Sequence, residues 1–320
     1  NEHFHLIEND NDLFSRWNSV QFLIKKTITN RASKNPNSHL EKSLISSFSK
    51  IINDFKEIDR SFISLILTIP TVSELELSQK IIDPIAIYDA CIYLSSLIGQ
   101  SLSNSLLSLL NLSHKDLDKD WPYGQDDRRL IGVTWQLLLF AGNVDIRQEI
   151  LKSVSDPSMT LSKAALNSLK EINCIEREEA MKTFYDRWKD NPVVLDTWFN
   201  LESSIPRKNS LEIVQNLLRH PRFDPIAPNS IRAVLGGFTQ NIKSFHAKDG
   251  SGYLFMAKQI ILIDQRNPIT ASRLAKVFSQ WESYINPNSQ NMLKAIKLIN
   301  EDNLSTNTRE VVELMIGKTD

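Results

Sequence analysis

The chain has 320 residues, with 37 basic and 38 acidic side chains and a formal net charge of −1 at pH 7. A hydrophobic share of 41% supplies enough apolar material for a folded core. This balanced charge argues against a nucleic-acid partner, because proteins that bind polyanions usually carry clustered Lys and Arg. No apolar run approaches the roughly 18 residues of a membrane span, so we expect no membrane partner.

Apolar residues recur at helical spacing along the chain, beginning with the stripe Leu13, Trp17, Val20, Ile24 and Ile28. Further predicted helices follow at 48–55, within 83–112 (one or two), at 135–139, 161–172, 176–188, 193–201, 211–218, 231–238, 254–263, 269–281, 289–299 and 308–316. Segments with the alternating pattern of a strand are absent, and the 9 glycines are too few for many tight turns.

Short polar connections between successive helices are typical of antiparallel helix pairs. Pairs of roughly 35–45 residues are the repeating unit of armadillo and HEAT proteins. We therefore predict an all-α fold, an armadillo/HEAT-like superhelix of antiparallel helix pairs, with a compact irregular bundle as the alternative. One helical domain is predicted over residues 1–320, and residues 1–10 are predicted to be a flexible lead-in that carries His3 and His5.

Proline placement predicts where several helices begin. An Asx side chain accepts a hydrogen bond from the first turn of a helix, and a proline after it lacks only an N–H that would be unpaired there. Prolines that follow Asn or Asp are seven of the twelve: Pro36, Pro84, Pro157, Pro192, Pro225, Pro268 and Pro287. Several of these dipeptides are therefore predicted to be helix starts.

Catalytic motifs are absent from the sequence. No two of the six histidines are four residues apart, so the HExxH arrangement that binds zinc on a helix does not occur. Nucleophile-elbow and phosphate-loop motifs do not occur either. We therefore predict no catalytic residue and no metal site in this chain.

Three smaller features carry predictions. Cys91 and Cys174 are isolated thiols, which fits a reducing compartment, so we expect core packing for Cys91 and a cytoplasmic location. The adjacent Gly236 and Gly237 indicate close helix packing or a helix end. The loop at 249–252 is predicted either to cap the next helix or to reach a partner or ligand.

Seven segments resemble segments of one protein family in their residues, and they occur in the same order. They are NDLFSRW (11–17), LTIPTVSEL (67–75), IIDPIAIYDA (81–90), YDRWKDNPVVLDTWF (185–199), HPRFDPIAPNSIRAVLGGF (220–238), FHAKDGSGYLFM (245–256) and RNPITASRL (266–274). Together they resemble the C-terminal domain of the bacterial aminopeptidase N family. The last forty residues match that family only in helical character.

The resemblance implies a multi-domain zinc aminopeptidase of the gluzincin type, which removes N-terminal residues from peptides. Its zinc ligands and general base belong to a thermolysin-like catalytic domain outside this chain. That catalytic domain and the peptide substrate are the implied partners. The domain seen here would cover the active-site cavity, so that short peptides enter and folded proteins are excluded.

The resemblance also implies cavity-side roles for two arginines, Arg273 in ITASRL and Arg232 in PNSIRAVLGG. A guanidinium group there would hold a carboxylate or main-chain carbonyls of the substrate. The sequence departs from the family at Ile269, where a polar residue is usual. A free-standing helical-repeat adaptor that binds a protein partner along one face is the alternative function.

Overall fold

The computed structural model describes residues 2–53, 59–114 and 124–317. Within these ranges the chain is helical, and the β-type pairing found there is an isolated bridge between Ile82 and Tyr284. The all-α prediction is therefore confirmed for the described residues. The sequence predicted one domain, whereas internal contacts divide the chain into unit 1 (Asn1–Ser78 and Ala86–Phe184) and unit 2 (Gln79–Ile85 and Tyr185–Asp320).

The first eleven helices lie in unit 1, except that α6 starts and α11 ends in residues of unit 2. Their bounds are α1 Glu2–Asn9, α2 Leu13–Ala32, α3 Ser38–Asn53, α4 Arg60–Leu67, α5 Val72–Glu76, α6 Pro84–Ser101, α7 Ser103–His114, α8 Gln125–Phe140, α9 Arg147–Ser153, α10 Met159–Leu169 and α11 Ile175–Trp188. The apolar segment at 83–112 thus forms two helices.

The remaining helices lie in unit 2 and include one π-helical segment and two 3-10 turns. Their bounds are α12 Pro192–Ser204, α13 Ser210–Leu217, α14 Pro228–Ile231, the π-helical segment Arg232–Gly236, α15 Gly237–Gln240, α16 Ile242–Phe245, α17 Ser251–Asp264, α18 Pro268–Ala275, the 3-10 turns Lys276–Phe278 and Trp281–Ser283, α19 Asn288–Asn300 and α20 Thr306–Ile316.

Residues 2–9, which were predicted to be a flexible lead-in, form α1 instead. Ile7 is fully buried, and α1 packs against α2 and α3. The ring of His3 stacks on Phe22 with centroids 4.2 Å apart, and Arg16 Nε donates a hydrogen bond to Ile7 O at 2.8 Å. These contacts with α2 order the segment, because they bury its one apolar stripe.

Unit 1 is built around apolar stripes that face inward from neighbouring helices. Val20, Ile24 and Ile28 of α2 are buried as the periodicity predicts. Trp135 of α8 is fully buried, and its indole N–H donates to Glu149 Oε1 at 2.9 Å, so the polar atom of this large side chain is satisfied. Helix α8 packs against α4, α7 and α10, which makes it the centre of unit 1.

Unit 2 shows the stacking of helix pairs that defines a repeat protein. Helix α17 packs against α18 and α19, and α20 packs against α18 and α19 in turn. Each helix therefore contacts its neighbour in the pair and its equivalent in the next pair. The core is rich in aromatic rings, and its fully buried members include Phe199, Phe238, Phe245, Tyr253 and Phe278.

Three of the seven Asx-Pro dipeptides begin helices as predicted. Pro84, Pro192 and Pro268 are the first residues of α6, α12 and α18. Asn191 and Asn267 accept hydrogen bonds from the first turns of α12 and α18 through their side-chain oxygens. In these two helices the Asn side chain caps the first turn and the proline is the first helical residue, as the sequence predicted.

Membrane-spanning potential was assessed over the described ranges. No single helix there is long and apolar enough to cross a bilayer. The pair Pro84–Ser101 and Ser103–Ser113 satisfies the length and composition requirement when the two are joined, although the chain bends by 82° between them.

Candidate functional site

Arg232 is the first residue of the π-helical segment of unit 2, where the sequence predicted a helix over 231–238 with the Gly236-Gly237 pair inside it. Such segments often mark functional sites. The carbonyl of Ala233 accepts from Gly237 N–H and also from Asn200 Nδ2 and Ser203 Oγ of α12, the last two each at 3.4 Å. A Cβ at Gly237 would lie 2.6 Å from Asn200 O, so the predicted close packing at this glycine is confirmed.

The Arg232 side chain is exposed and folds back over the start of its own helix. Its Nε donates to Pro228 O at 3.2 Å, and Nη2 donates to Asn229 Oδ1. Both partners belong to α14, so the guanidinium group is held beside the N-terminal end of that helix. The positive charge stays accessible to a ligand in solvent because no acidic partner pairs with Arg232 in the described part of the chain.

Arg273 lies in the last turn of α18, and it is also exposed. Across the described ranges its side chain makes no hydrogen bond and no ion pair. Ile269 precedes it by four residues and is 56% exposed, so both side chains lie on one face of the helix. The helix itself is anchored by Asn267, whose Oδ1 accepts from Thr270 N at 3.1 Å.

A hydrogen bond joins the segments that carry the two arginines. Asn267 Nδ2 donates to Ile226 O at 3.3 Å, and Ile226 is 65% exposed. Ile226 is held in turn by Asp224, whose Oδ1 accepts from the N–H groups of Ile226 and Ala227 at 2.8 and 3.0 Å. The bond from Asn267 therefore places the segment of Ile226 beside the start of α18, and we use the name rim for four exposed residues of these segments in unit 2: Ile226, Arg232, Ile269 and Arg273.

Two carboxylates of unit 2, Asp224 and Asp196, have pKa values shifted in opposite directions. The N–H groups of Ile226 and Ala227 lower the pKa of Asp224, because they stabilise its ionised form. Burial, followed by the nearby negative charge of Asp224, raises the pKa of Asp196 on α12.

Unit 1 exposes a second apolar surface along α2, α4 and α5. A groove of about 550 Å³ runs between these helices, lined by Trp17, Phe22, Leu65 and Leu77 among others. Phe14 lies one turn before Trp17, and their ring centroids are 5.7 Å apart. Phe14 and Leu77 are 67% and 76% exposed. We call these five side chains the apolar face.

The described ranges contain no candidate site for metal binding or for thiol chemistry. No three His, Cys, Asp or Glu side chains come together there in a way that could hold a metal ion. Cys91 and Cys174 are both free, and burial raises the pKa of Cys91 to about 12. A thiol with so high a pKa is a poor nucleophile, which fits the predicted packing role of Cys91.

The loop at 249–252 forms a helix-start turn. Gly250 adopts a positive φ of 76°, and α17 begins at the next residue. Asp249 Oδ1 accepts from the N–H and the hydroxyl of Ser251 at 3.0 and 2.7 Å. The loop is therefore a turn that leads into α17, but Gly250 occupies the N-cap position and no side chain caps the helix, so the predicted cap by Asp249 or Ser251 is wrong. Asp249 and Ser251 also border a groove of about 690 Å³ with Arg207 and Lys243.

Comparison with known families assigns the class of this chain. Residues 1–317 match a family described as a domain of unknown function, DUF3458_C, with ARM repeats. The chain is therefore a helical-repeat domain of the armadillo type, as the sequence predicted. It belongs to the DUF3458_C family.

Its similar proteins are aminopeptidases. Aminopeptidase N of Escherichia coli (strain K12) is 31% identical over 314 residues, covering 93% of this chain and 35% of that protein. Aminopeptidase N of Caulobacter vibrioides is 28% identical over 321 residues, covering 98% of this chain and 36% of that protein. The predicted resemblance to this family is confirmed, and the chain spans little more than a third of the relatives' length.

A solved structure shares the fold along nearly the whole chain. Legionella pneumophila aminopeptidase A, crystallised in complex with aspartic acid, superposes with a TM-score of 0.88 at 25% identity. The match covers 99% of this chain and 38% of that one.

The sequence predicted Arg232 and Arg273 as site residues, and it gave no indication of Ile226 or of the π-helical segment. Ile226 lies 41 residues before Asn267, and only the folded chain brings them together. The composition of RAVLG does not predict a π-helical turn, and the bonds from α12 to its Ala233 carbonyl come from residues about 30 positions earlier.

Proposed function

We propose that this chain is the C-terminal domain of a zinc-dependent aminopeptidase, which removes N-terminal residues from peptides. In this proposal the domain covers the active-site cavity, controls substrate access and contributes no catalytic group. Its partners are the thermolysin-like catalytic domain of the same polypeptide and the peptide substrate. The cytoplasmic location and the absence of nucleic-acid and membrane partners belong to the same proposal.

The apolar face of unit 1 is the observation that carries the docking role. Phe14 and Leu77 expose most of their surface, and they flank a groove bordered by further apolar side chains. Contiguous exposed apolar surface is costly in water and usually marks a contact with another folded body. Similar proteins are nearly three times as long as this chain, so a further part of the polypeptide is the occupant we propose.

Zinc does not fit the described residues of this chain. The side chains that bind zinc in proteins are His, Cys, Asp and Glu, and the described part brings no three of them together. We therefore assign the metal to the catalytic domain and derive no step through it here. Arg273 and Arg232 are assigned to the substrate side, where their guanidinium groups would bind a carboxylate or carbonyl oxygens of the peptide.

A free-standing adaptor is the second candidate function. The groove of about 690 Å³ in unit 2 favours it, since it is bordered by polar and charged residues such as Arg207, Lys243 and Asp249. A polar groove of this kind is typical of a repeat domain that binds a protein partner.

Binding between this chain and the separately produced catalytic portion tests the proposal. We expect a stable complex, and we expect Phe14→Asp or Leu77→Asp to weaken it by at least about tenfold, because each buries a charge in an apolar contact. Ile175→Asp is the matched control, an exposed apolar residue of unit 1 outside the apolar face. An adaptor would show no complex, or one that these substitutions leave unchanged.

A further inference from the structure

Helix α17 carries apolar side chains on both its inner and its outer face. Tyr253, Met256 and Ile260 lie on the inner face and are fully buried in the core of unit 2. On the opposite side, Leu254 and Leu262 are 46% and 55% exposed. A helix that is apolar all round is normally covered on every side. The outer face of α17 is therefore a candidate contact surface, separate from the apolar face and from the rim.

The exposed residues of this outer face form a regular stripe. Leu254, Lys258 and Leu262 follow one another at intervals of four residues, so their side chains lie one turn apart on the same side of α17. The stripe is roughly 12 Å long at the usual rise of an α-helix. It begins one turn after Ser251, which lines the groove of about 690 Å³. At that end the stripe therefore continues into a concave surface.

The charge on this stripe is positive. Lys258 is exposed, and across the described ranges its side chain forms no ion pair. The other charged residue of α17, Asp264, is buried and accepts hydrogen bonds from the hydroxyl groups of Ser305 and Thr308. Because Asp264 is bonded to these residues on the inner side, it does not neutralise Lys258. An ammonium group between two exposed leucines is complementary to a carboxylate between two apolar side chains.

Spacing and charge together select the kind of partner. Side chains at four-residue intervals form a ridge that packs into the grooves of a second helix. Apolar anchors one turn apart are also the usual means by which a protein surface and a helix recognise each other. A second copy of this chain is disfavoured, because a symmetric antiparallel pair of α17 helices would set the two Lys258 side chains against each other.

We propose that the outer face of α17 binds an amphipathic helix of a partner protein, which carries an acidic side chain between two apolar ones at four-residue spacing. Leu254 and Leu262 contact the apolar side chains, and Lys258 pairs with the carboxylate. This interaction uses neither the apolar face nor the rim, so it does not depend on the proposed aminopeptidase function.

Titration of the complete polypeptide that contains this chain with two synthetic helical peptides tests the proposal. One peptide carries leucine, glutamate and leucine at four-residue intervals on one face, and the reference peptide has lysine in place of the glutamate. We expect saturable binding of the glutamate peptide with a Kd below about 1 mM, and binding of the lysine peptide about tenfold weaker. Fluorescence anisotropy of the labelled peptides measures both affinities.

Variants then assign the binding to α17. Lys258→Glu should reverse the order of the two peptides, because the lysine peptide then meets an opposite charge. Leu262→Asp should weaken the binding of both peptides by at least about tenfold, because it places a charge in an apolar contact. Two exposed residues outside α17 supply matched controls, Lys163→Glu in unit 1 and Leu314→Asp in unit 2, and both variants should bind as the wild type does.

Thiol labelling and sedimentation distinguish two other occupants of the outer face. In the complete polypeptide, Leu262→Cys should react with a maleimide at a rate similar to that of Leu314→Cys, each counted above the free thiols of the wild type. Protection of Leu262→Cys alone would mean that the rest of the polypeptide covers the face, which overturns the proposal. A dimer that Leu262→Asp dissociates would overturn it in favour of a second copy.

The peptide titrations can overturn the proposal as well. It is wrong if neither peptide binds, or if Lys258→Glu leaves the order of the two peptides unchanged. An equal loss of binding in Leu314→Asp and Leu262→Asp would show that the effect is not local to α17. None of these results bears on the proposed aminopeptidase function, which is tested separately by binding to the catalytic portion.

Discussion

The apolar face of unit 1 and the rim of unit 2 both expose apolar side chains, but their surroundings differ. On the apolar face, Phe14 stacks near Trp17 and the surface continues into a groove. On the rim, Ile226 and Ile269 are both exposed, and each has an exposed arginine on its own segment. Exposed aromatic and aliphatic side chains around a groove suit burial against another folded body, whereas exposed apolar residues beside cations suit contact with a peptide.

The largest expected effect is a loss of stability in unit 2, which carries the rim, while unit 1 and its apolar face stay folded. In Gly237→Ala the new Cβ would meet Asn200 O at 2.6 Å and Ser203 Oγ at 2.1 Å, so α12 and α15 must move apart. We expect a loss of about 3 kcal/mol in the unfolding free energy of unit 2, as for other overpacked sites. Urea unfolding followed by hydrogen exchange would show whether the loss is confined to unit 2.

Two comparison variants make this prediction specific. Gly236→Ala places its Cβ in open space, so it should leave stability unchanged or slightly raised. Gly99→Ala is the counterpart in unit 1, since its Cβ would lie 2.1 Å from Leu137 O. It should destabilise the unit that carries the apolar face. Equal losses in Gly236→Ala and Gly237→Ala would contradict the close packing described for α12.

The next effect concerns the rim alone. Arg273→Ala in the complete enzyme should lower kcat/KM for short peptides by roughly 10- to 150-fold, the equivalent of about 1.5–3 kcal/mol for one charge-assisted contact. Arg219→Ala is the matched control, because Arg219 is an exposed arginine of unit 2 outside the rim. Unchanged kinetics in Arg273→Ala for dipeptides and tripeptides would remove Arg273 from the site.

Acidification should distinguish the units because the buried histidine of the described chain lies in unit 2. Burial lowers the pKa of His246 to about 3, and its Nδ1 lies 2.7 Å from the Tyr253 hydroxyl. Unfolded histidine binds a proton near pH 6.5, so unfolding takes up a proton between these values. The stability of unit 2 is therefore complete above about pH 6.5 and falls as the pH drops towards 3.

The expected loss is about 2 kcal/mol between pH 7.5 and pH 5, at roughly 1.4 kcal/mol per pH unit below 6.5. His246→Asn should flatten this dependence, and urea unfolding at the two pH values measures it. His220, whose pKa is also lowered by burial, leaves a smaller pH dependence in both proteins. An equal slope in the variant and the wild type would exclude His246 as its source.

The smallest expected effect reaches the apolar face indirectly, through the stability of the helix that leads to Leu77. Thr71 and Glu74 form a capping box at the start of α5, the helix that leads to Leu77. Thr71→Ala should cost about 1 kcal/mol of helix stability and weaken docking to the catalytic portion by less than Leu77→Asp does. Isothermal titration of the two variants ranks them, and a larger effect from Thr71→Ala would mean that Leu77 is outside the contact.

Local sequence predicted the helices well where caps and periodicity agree, as at Asn191 and Asn267. The prediction of a helix start was wrong at Asx-Pro dipeptides whose Asx side chain accepts from an N–H group that precedes the helix. Asp156 accepts from Ser158 N, and Asp224 accepts from Ile226 N, so each forms a turn before the helix instead of its cap. The dipeptide alone does not show which N–H the side chain will meet.

The candidate site was predicted only in part for a similar reason. Arg232 and Arg273 were identified through family resemblance, which needs only matching segments. The bond from Asn267 brings the segment of Ile226 beside α18, and side chains of α12 bond the Ala233 carbonyl within the π-helical turn. Such contacts join residues about 30 to 41 positions apart, so periodicity and capping rules do not reach them.

We propose that catalysis belongs to a separate catalytic portion and not to this chain. An assay of the 320-residue chain alone tests this claim most directly. Aminopeptidase turnover with a chromogenic alanyl substrate and zinc content would be measured together, before and after adding the separately produced catalytic portion. The account predicts no turnover and no stoichiometric zinc for the chain alone, and higher turnover of the catalytic portion on mixing. Turnover with bound zinc in the chain by itself would contradict it.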